Sequence, residues 1–113
     1  MGSAEITRLH ALLRQRQFSE ALAQGEALLA SAPDQREVLL VVATALRYLG
    51  RHADALQRLL ALEQLHPRFS RLHEERGRCY IDLKAASRAI EAFEQAVGIN
   101  HSLPGSWRML EGL

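Results

Sequence analysis

Apolar side chains recur along most of the chain at spacings of three and four residues, as in Leu9, Leu12 and Leu13 and again in Leu56 and Leu59. This spacing places them on one face of an α-helix, whereas a half-buried strand would alternate apolar and polar residues. Residues that favour helix are abundant, and β-branched and aromatic residues are few. The pattern predicts an all-α chain with helices near residues 4–16, 18–31, 35–49, 52–66, 70–83, 86–99 and 104–112.

Residues that favour helix ends mark several of these boundaries. Asp34 with Glu37 has the spacing of a capping box at the start of the third helix. Ser70 suits the N-cap of the fifth helix. Gly50 suits a tight turn after the third helix, because glycine adopts a left-handed backbone without strain. Pro104 suits the first turn of the last helix, where no N–H is needed.

The sequence repeats itself with a period of 34 residues. Ala21, Ala55 and Ala89 occupy equivalent positions, and five further sets of positions at this period also keep their chemical character. These sets are Leu22, Leu56 and Ile90; Leu12, Leu46 and Tyr80; Leu9, Ala43 and Gly77; Leu28, Leu62 and Ala96; and Pro33, Pro67 and His101. A fixed period of this length indicates stacked copies of one small structural unit.

The segment from Gly77 to Phe93 carries Gly-x-x-Tyr followed by Ala-x-x-x-Phe, and with the period of 34 it resembles the tetratricopeptide repeat. The resemblance implies a right-handed superhelix of antiparallel helix pairs, in which each repeat has a first helix, A, and a second helix, B. Residues 1–113 would form a single domain. Its three repeats would span about 2–34, 35–68 and 69–102, and 103–113 would begin a fourth repeat or form a capping helix.

The repeated positions have a packing rationale. Small residues at Ala43 and Gly77 would let neighbouring helix backbones approach closely, and larger side chains would fill the space around them. The first repeat departs from this pattern, with Leu9 at the small position and Gly25 where an aromatic residue is usual. Cys79 shares its position with two alanines one and two periods earlier, so we expect a buried, unreactive thiol.

Composition and charge exclude several functional classes. The formal net charge is +1, which provides no basic surface for nucleic acid or an anionic membrane. No apolar run approaches the roughly 18 residues of a membrane span, and the N-terminus lacks a signal-peptide pattern. A single cysteine excludes an internal disulfide. We therefore expect a cytoplasmic protein with no nucleic-acid or membrane partner.

No pattern of residues indicates catalysis, a cofactor or a metal. The five histidines lack metal-binding spacing, and no phosphate-binding loop or nucleophile motif is present. His73, Glu74 and Glu75 place a base next to two acids in the sequence. Adjacent side chains point in different directions around a helix, so we expect them to belong to a solvated helix face and not to a catalytic site. We expect the chain not to be an enzyme.

Recognition of protein is the function that the tetratricopeptide resemblance implies, with a partner peptide or helix bound along the concave face of the A helices. The positions that match the family's groove are Ile6, His10, Leu13, Arg14, Glu37, Leu40, Thr44, Arg47, Tyr48, Arg71, Glu74, Arg78, Ile81 and Asp82. The arginines of this set could hold partner carboxylates through paired hydrogen bonds. The alternative is that these residues form ordinary solvated helix faces.

A subclass of the family that binds chaperone C-termini uses lysine, asparagine and arginine at defined groove positions. The matching positions here are Ile6, His10, Thr44, Glu74 and Arg78, and only Arg78 conforms. Since Glu74 would repel the carboxylate that such a clamp binds, the sequence argues against a chaperone-tail site.

A second function remains open from the sequence. The tail from His101 to Leu113 resembles the start of a fourth repeat, and loosely the repeat region ahead of a sulfotransferase domain in some bacterial proteins. This resemblance implies a spacer or oligomerisation module attached to an enzyme domain of a longer protein. Self-association would use Trp107 in the last helix or Leu60 on an outer helix face.

Overall fold

The computed structural model describes residues 2–113, which form seven α-helices and no strand. The helices are α1 (Ser3–Arg14), α2 (Phe18–Ser31), α3 (Arg36–Tyr48), α4 (His52–Leu65), α5 (Ser70–Asp82), α6 (Ala86–Ile99) and α7 (Pro104–Gly112). The predicted helices are confirmed, with every end within two residues of its predicted place. The prediction that Pro104 lies in the first turn of the last helix is also confirmed.

Each helix packs against the next one along the chain, and α1 also packs on α3, and α3 on α5. We call α1, α3, α5 and α7 the A helices, and α2, α4 and α6 the B helices. Because α3 contacts both α1 and α5, these A helices lie side by side. This arrangement places the A-helix residues at equivalent positions of the period on a common face.

The same turn follows α1, α3 and α5. Arg16, Gly50 and Lys84, which lie one period apart, all have a positive φ, of 60°, 80° and 59°. After α3, the Gly50 N–H donates to the Arg47 carbonyl and the Arg51 N–H donates to the Leu46 carbonyl. These two bonds define a Schellman motif, and the turn predicted at Gly50 is confirmed.

The predicted caps of α3 and α5 are wrong. The N-cap of α3 is Gln35, and no side chain caps it, because the Glu37 carboxylate instead accepts from Arg71 on α5 at 2.5 Å. The N-cap of α5 is Phe69, and its ring is buried in the core. Ser70 is therefore the first residue of the helix and not its cap. In both helices tertiary contacts decide how the helix starts, and local capping signals do not.

Close approach between helices occurs at Gly77 of α5. A Cβ atom placed there would lie 2.6–2.8 Å from three ring atoms of Phe93 on α6, and Phe93 is fully buried. Gly25 is similarly close to α3, since a Cβ atom would lie 2.6 Å from a methyl group of Val42. The small residue predicted at Gly77 is therefore required by packing, because its missing Cβ leaves room for the Phe93 ring.

Side chains at two sets of equivalent positions change size from repeat to repeat, one set becoming smaller and the other larger. The A-helix set runs Leu9, Ala43, Gly77, and the B-helix set at Gly25, Leu59 and Phe93 runs from small to large. All six residues are buried. In the first repeat, the large Leu9 on the A helix is thus matched by the small Gly25 on the B helix. Each helix pair keeps one smaller and one larger residue at these two positions.

Substitution of Gly77 by alanine should destabilise the protein by about 1–3 kcal/mol, because the new methyl group overlaps the Phe93 ring in a filled core. The matched control is Gly98→Ala in α6, where a Cβ atom would meet no atom within 4 Å. That change should stabilise by up to about 1 kcal/mol through helix propensity alone. Urea unfolding of both variants measures the difference, and equal effects would show that Gly77 is not required by packing.

Candidate functional site

A depression of about 200 Å³ lies on the face shared by α1, α3 and α5. We call it the A-face depression. It is lined by the predicted residues His10, Leu13, Leu40, Thr44, Arg47, Tyr48, Arg71, Glu74 and Arg78, together with Val41 and Glu75. Most of the residues proposed from the sequence are therefore brought together, and they come from three successive A helices.

The remaining predicted residues lie at the edge or outside. Glu37 and Asp82 border the depression through ion pairs with arginines that line it. Ile6 and Ile81 are half-buried and do not line it, and Arg14 is exposed on α1. The sequence prediction thus extended further along the A helices than the depression does.

An ion pair between Arg47 of α3 and Glu75 of α5 forms the floor. The Arg47 Nε donates to a Glu75 carboxylate oxygen, and the two side chains are only 10% and 3% exposed. The Arg47 Nη1 also lies 3.5 Å from Asp82, and its guanidinium lies over the Tyr48 ring. Burial lowers the pKa of Arg47, but the Glu75 carboxylate raises it by more, so the net pKa is raised and the arginine stays charged.

The other two arginines of the A-face depression are also paired. Arg71 donates to Glu37 at 2.5 Å, and the same carboxylate lies 3.6 Å from His10 of α1. Arg78 lies 3.4 Å from Glu74 and 3.5 Å from Glu75. The contacts of Glu37 join α1, α3 and α5 across the face of the A helices, whereas the Arg78 pairs lie within α5.

Glu74 and Glu75 are buried, so the expectation that His73, Glu74 and Glu75 form a solvated helix face is wrong. The three residues are 3%, 8% and 2% exposed. Neighbouring elements cover them because a helix in the middle of the stack has neighbours on several sides. Glu74 is held from α7 as well, since the Ser106 hydroxyl donates to it at 2.6 Å.

Sequence reasoning missed Glu75 and Ser106 as members of this network. One signal was available, because Glu75 falls one period after Val41, an apolar position in the preceding A helix. A carboxylate at a position that is apolar one repeat earlier indicates a buried partner of opposite charge. No comparable signal existed for Ser106, whose role depends on how α7 docks.

Every arginine of the A-face depression is paired with at least one carboxylate of this chain. Three arginines face four carboxylates, those of Glu37, Glu74, Glu75 and Asp82. The arginines are therefore not an unpaired set of cations, as a site for a partner's carboxylates would require. The polar groups that remain for a ligand are the exposed parts of Arg71 and Arg78, each 40% exposed, and the Thr44 hydroxyl.

An exposed aromatic ledge borders the A-face depression. Tyr48 is 47% exposed, and its ring stacks on Phe18 with 4.4 Å between centroids and an interplanar angle of 3°. Arg16 lies over both rings. Packing on Phe18 fixes the ring of Tyr48, so it offers a rigid apolar surface next to Leu13 and Leu40.

Cys79 lies in the core and not at the depression's surface. It is fully buried. Burial, followed by the nearby Glu75 carboxylate, raises the pKa of its thiol to about 12. The predicted burial of this thiol is confirmed.

Among the described residues 2–113, no group of three or more His, Cys, Asp and Glu side chains could hold a metal ion. No helix among α1–α7 is both long enough and apolar enough to cross a bilayer.

The fold and the period agree with a known family. The family model of the tetratricopeptide repeat matches residues 6–57 and 40–105 of the chain. The chain belongs to the tetratricopeptide repeat family. Among curated protein sequences none matches it.

Several solved structures have the same fold as this chain at low sequence identity. The first tetratricopeptide domain of human RPAP3 has a TM-score of 0.88 and 15% identity, over 96% of this chain and 85% of that one. The first such domain of Spaghetti (RPAP3), bound to the HSP90 peptide SRMEEVD, has a TM-score of 0.84 and 15% identity, over 96% and 86%. The Yersinia enterocolitica type III secretion chaperone SycD, in complex with a peptide of the translocator YopD, has a TM-score of 0.82 and 12% identity, over 97% and 89%.

The chain is thus an all-α tetratricopeptide superhelix of helix pairs, similar to domains that have been solved with bound peptides. The family is shown by the matched residues, and the solved structures establish the fold.

Alkylation of Cys79 should be slow in the native protein. A thiol with a pKa of about 12 holds roughly a thousandfold less thiolate at neutral pH than an exposed cysteine of pKa about 8.5. Because the chain has one cysteine, mass spectrometry after iodoacetamide treatment reports this site alone. The same protein in denaturant is the control, and equal labelling rates in the two conditions would contradict the burial.

Proposed function

We propose that this chain is a non-catalytic protein-interaction module that binds an apolar, nearly neutral segment of a partner protein in the A-face depression. The observation that supports this proposal is the meeting of three A helices around one depression with both apolar and hydrogen-bonding groups. Domains of the same fold bind peptides, namely an HSP90 peptide in Spaghetti and a YopD peptide in SycD.

Apolar contact supplies most of the binding in this proposal. Leu13, Leu40 and Val41 line the depression, and the exposed ring of Tyr48 stands at its border. An aromatic or branched side chain of the partner would remove these groups from water, which stabilises the complex at roughly 25 cal/mol per Å² of apolar surface. Such a small interface implies an affinity in about the micromolar range.

Charge pairing within the A helices determines what kind of segment fits. The sequence predicted a partner that carries carboxylates, but Arg47, Arg71 and Arg78 already pair with acids of this chain. A partner carboxylate would have to compete with these pairs, and it would approach Glu74 and Glu75. The partner is therefore proposed to use backbone carbonyls as acceptors for Arg71, Arg78 and Thr44, and not an acidic tail.

This proposal distinguishes the chain from its chaperone-binding relative. The position where a chaperone-tail clamp needs a cation is occupied by Glu74, which is 8% exposed and held by Ser106 and Arg78. The peptide SRMEEVD, which the Spaghetti domain binds, has four carboxylate groups, those of two glutamates, one aspartate and the C-terminus. We propose that it binds this chain weakly or not at all.

An alternative function is a spacer or oligomerisation module next to an enzyme domain, such as the sulfotransferase domain that the tail sequence suggests. One feature supports self-association: Trp107 of α7 and Leu113, which follows α7, are 46% and 45% exposed. In this alternative, the A-face depression would bind no peptide. Sedimentation of the chain over a range of concentrations would reveal a dimer that Trp107→Ala removes.

Titration with three short peptides tests the main proposal. They share one pair of large apolar residues and differ in carrying no charge, two carboxylates or two lysines, and SRMEEVD is a fourth probe. We expect the uncharged peptide to bind best and with little dependence on salt, because its contacts are not between free charges. Tyr48→Ala should weaken it about tenfold, or about 1.4 kcal/mol.

The matched control is Tyr80→Ala, since Tyr80 lies on α5 but does not line the A-face depression. Thr44→Arg, which places a bulky cation in the depression, should abolish binding, whereas Ser87→Arg on the exposed start of α6 should not. Equal binding of the uncharged peptide by wild type and Thr44→Arg would contradict the proposal. Tight binding of SRMEEVD would contradict its charge preference.

A further inference from the structure

A second groove lies between α4 and α6, where the A helix α5 forms the floor. Two depressions of about 420 Å³ and 630 Å³ meet there, and both are bordered by Arg76 and Tyr80. Leu56 and Leu60 of α4 form one wall, and Ala92 of α6 belongs to the other. We call this trough the α4–α6 groove. It shares none of its lining residues with the A-face depression.

The equivalent groove between the preceding B helices, α2 and α4, is closed by side chains. Between α2 and α4 the depression is about 270 Å³, and its floor residue Leu46 is only 2% exposed. An ion pair crosses it, with Arg58 donating to Glu26 at 2.6 Å. These two side chains bridge the B helices and cover the gap.

The α4–α6 groove has lost that bridge. One period after Glu26 stands Leu60, and one period after Arg58 stands Ala92, so an apolar pair replaces the ion pair. Tyr80 replaces Leu46 on the floor and is half-buried. Leu60 is 53% exposed. The change leaves an open trough with apolar groups on α4 and polar groups along α6, where the equivalent gap is bridged by an ion pair.

The rim of this groove on the α6 side is charged and exposed to solvent. Glu91 and Glu94 line it, and neither pairs with a basic side chain of the described residues 2–113. Arg88 lies 5.9 Å from the centre of the Tyr80 ring. By contrast, Arg76 in the floor is paired with Glu63 at 2.8 Å. The charged side chains of α6 that line the groove without an ion pair to a described residue are therefore Arg88 and, further along the helix, Glu91 and Glu94.

We propose that the α4–α6 groove is a second docking site, which binds an amphipathic helix of a partner protein with a basic flank. A trough between two helices accepts the ridge of a third helix, with apolar side chains at spacings of three and four residues on Leu60 and Tyr80. Lysine or arginine on the flank of the partner helix meets Glu91 and Glu94. The site is independent of the A-face depression, so the chain would bind two partner segments at once.

Selection from a display library of helical peptides tests this docking site without a prior choice of ligand. The library keeps a helical frame and randomises one face and one flank, and it is selected on the wild type with Leu60→Glu as the counter-selection target. We expect enriched peptides with leucine, phenylalanine or methionine at spacings of three and four, and with lysine or arginine on the flank. The enriched peptide should bind Leu60→Glu at least tenfold more weakly.

A charge reversal separates specific docking from general apolar adhesion. The double variant Glu91→Lys, Glu94→Lys should lose the basic-flanked peptide and gain a version with glutamate on that flank. The matched control is the same reversal at Glu20 on α2 and Glu111 on α7, which are exposed and do not line this groove, and it should change nothing there. Thr44→Arg should also leave binding intact, so that failure here is distinguishable from failure of the A-face depression.

Three outcomes would overturn the inference. The first is that no peptide is enriched on the wild type over Leu60→Glu. The second is enriched peptides that bind the charge-reversed protein as well as the wild type. The third is a concentration-dependent dimer in sedimentation that Leu60→Glu abolishes, which would show that a second copy of this chain occupies the groove.

Discussion

The buried ion pair between Arg47 and Glu75 is the interaction on which the A-helix face depends. Both side chains are almost completely removed from water, at 10% and 3% exposed, and they join α3 to α5. Desolvated charges are costly unless each has its partner, so neither residue is tolerable without the other. The Arg71 and Arg78 pairs extend the network towards α1 and α7, with His10 and Ser106 as its outer members.

This use of charge explains what the A-face depression offers to a partner. Its arginines stabilise the stack of A helices, and the surface left for recognition is the apolar group around Leu40 and Tyr48 with a few hydrogen-bond donors. Proteins of the same fold have been solved with different peptides, since a fold sets where a groove lies and the side chains decide what fits it. In the α4–α6 groove the opposite change has occurred, since an apolar pair replaces a bridge of charges.

Much of the fold was predictable from the sequence, because a period of 34 residues applies one packing rule repeatedly. The apolar positions predicted all seven helices, and the requirement for a small residue at Gly77 was also predicted. The candidate residues on the A face also came largely together. Their charge partners were not predictable, since Glu75 of α5 pairs with Arg47 of α3 and the local sequence does not show which side chains of two helices meet. The caps failed for the same reason, as Glu37 pairs with Arg71 instead of its own helix start.

A double-mutant cycle on Arg47 and Glu75 is the most direct test, with unfolding free energies measured for Arg47→Met, Glu75→Leu and the double variant. Each single change should cost about 3–5 kcal/mol, because it leaves a buried charge alone, and the double variant should cost less than either. The exposed pair Arg58 and Glu26 serves as the control, with a coupling below about 1 kcal/mol. A coupling for Arg47 and Glu75 of about 3 kcal/mol or more is the expected result. Additive effects, as small as those of the control pair, would contradict the view that the A face is held together by its own charges.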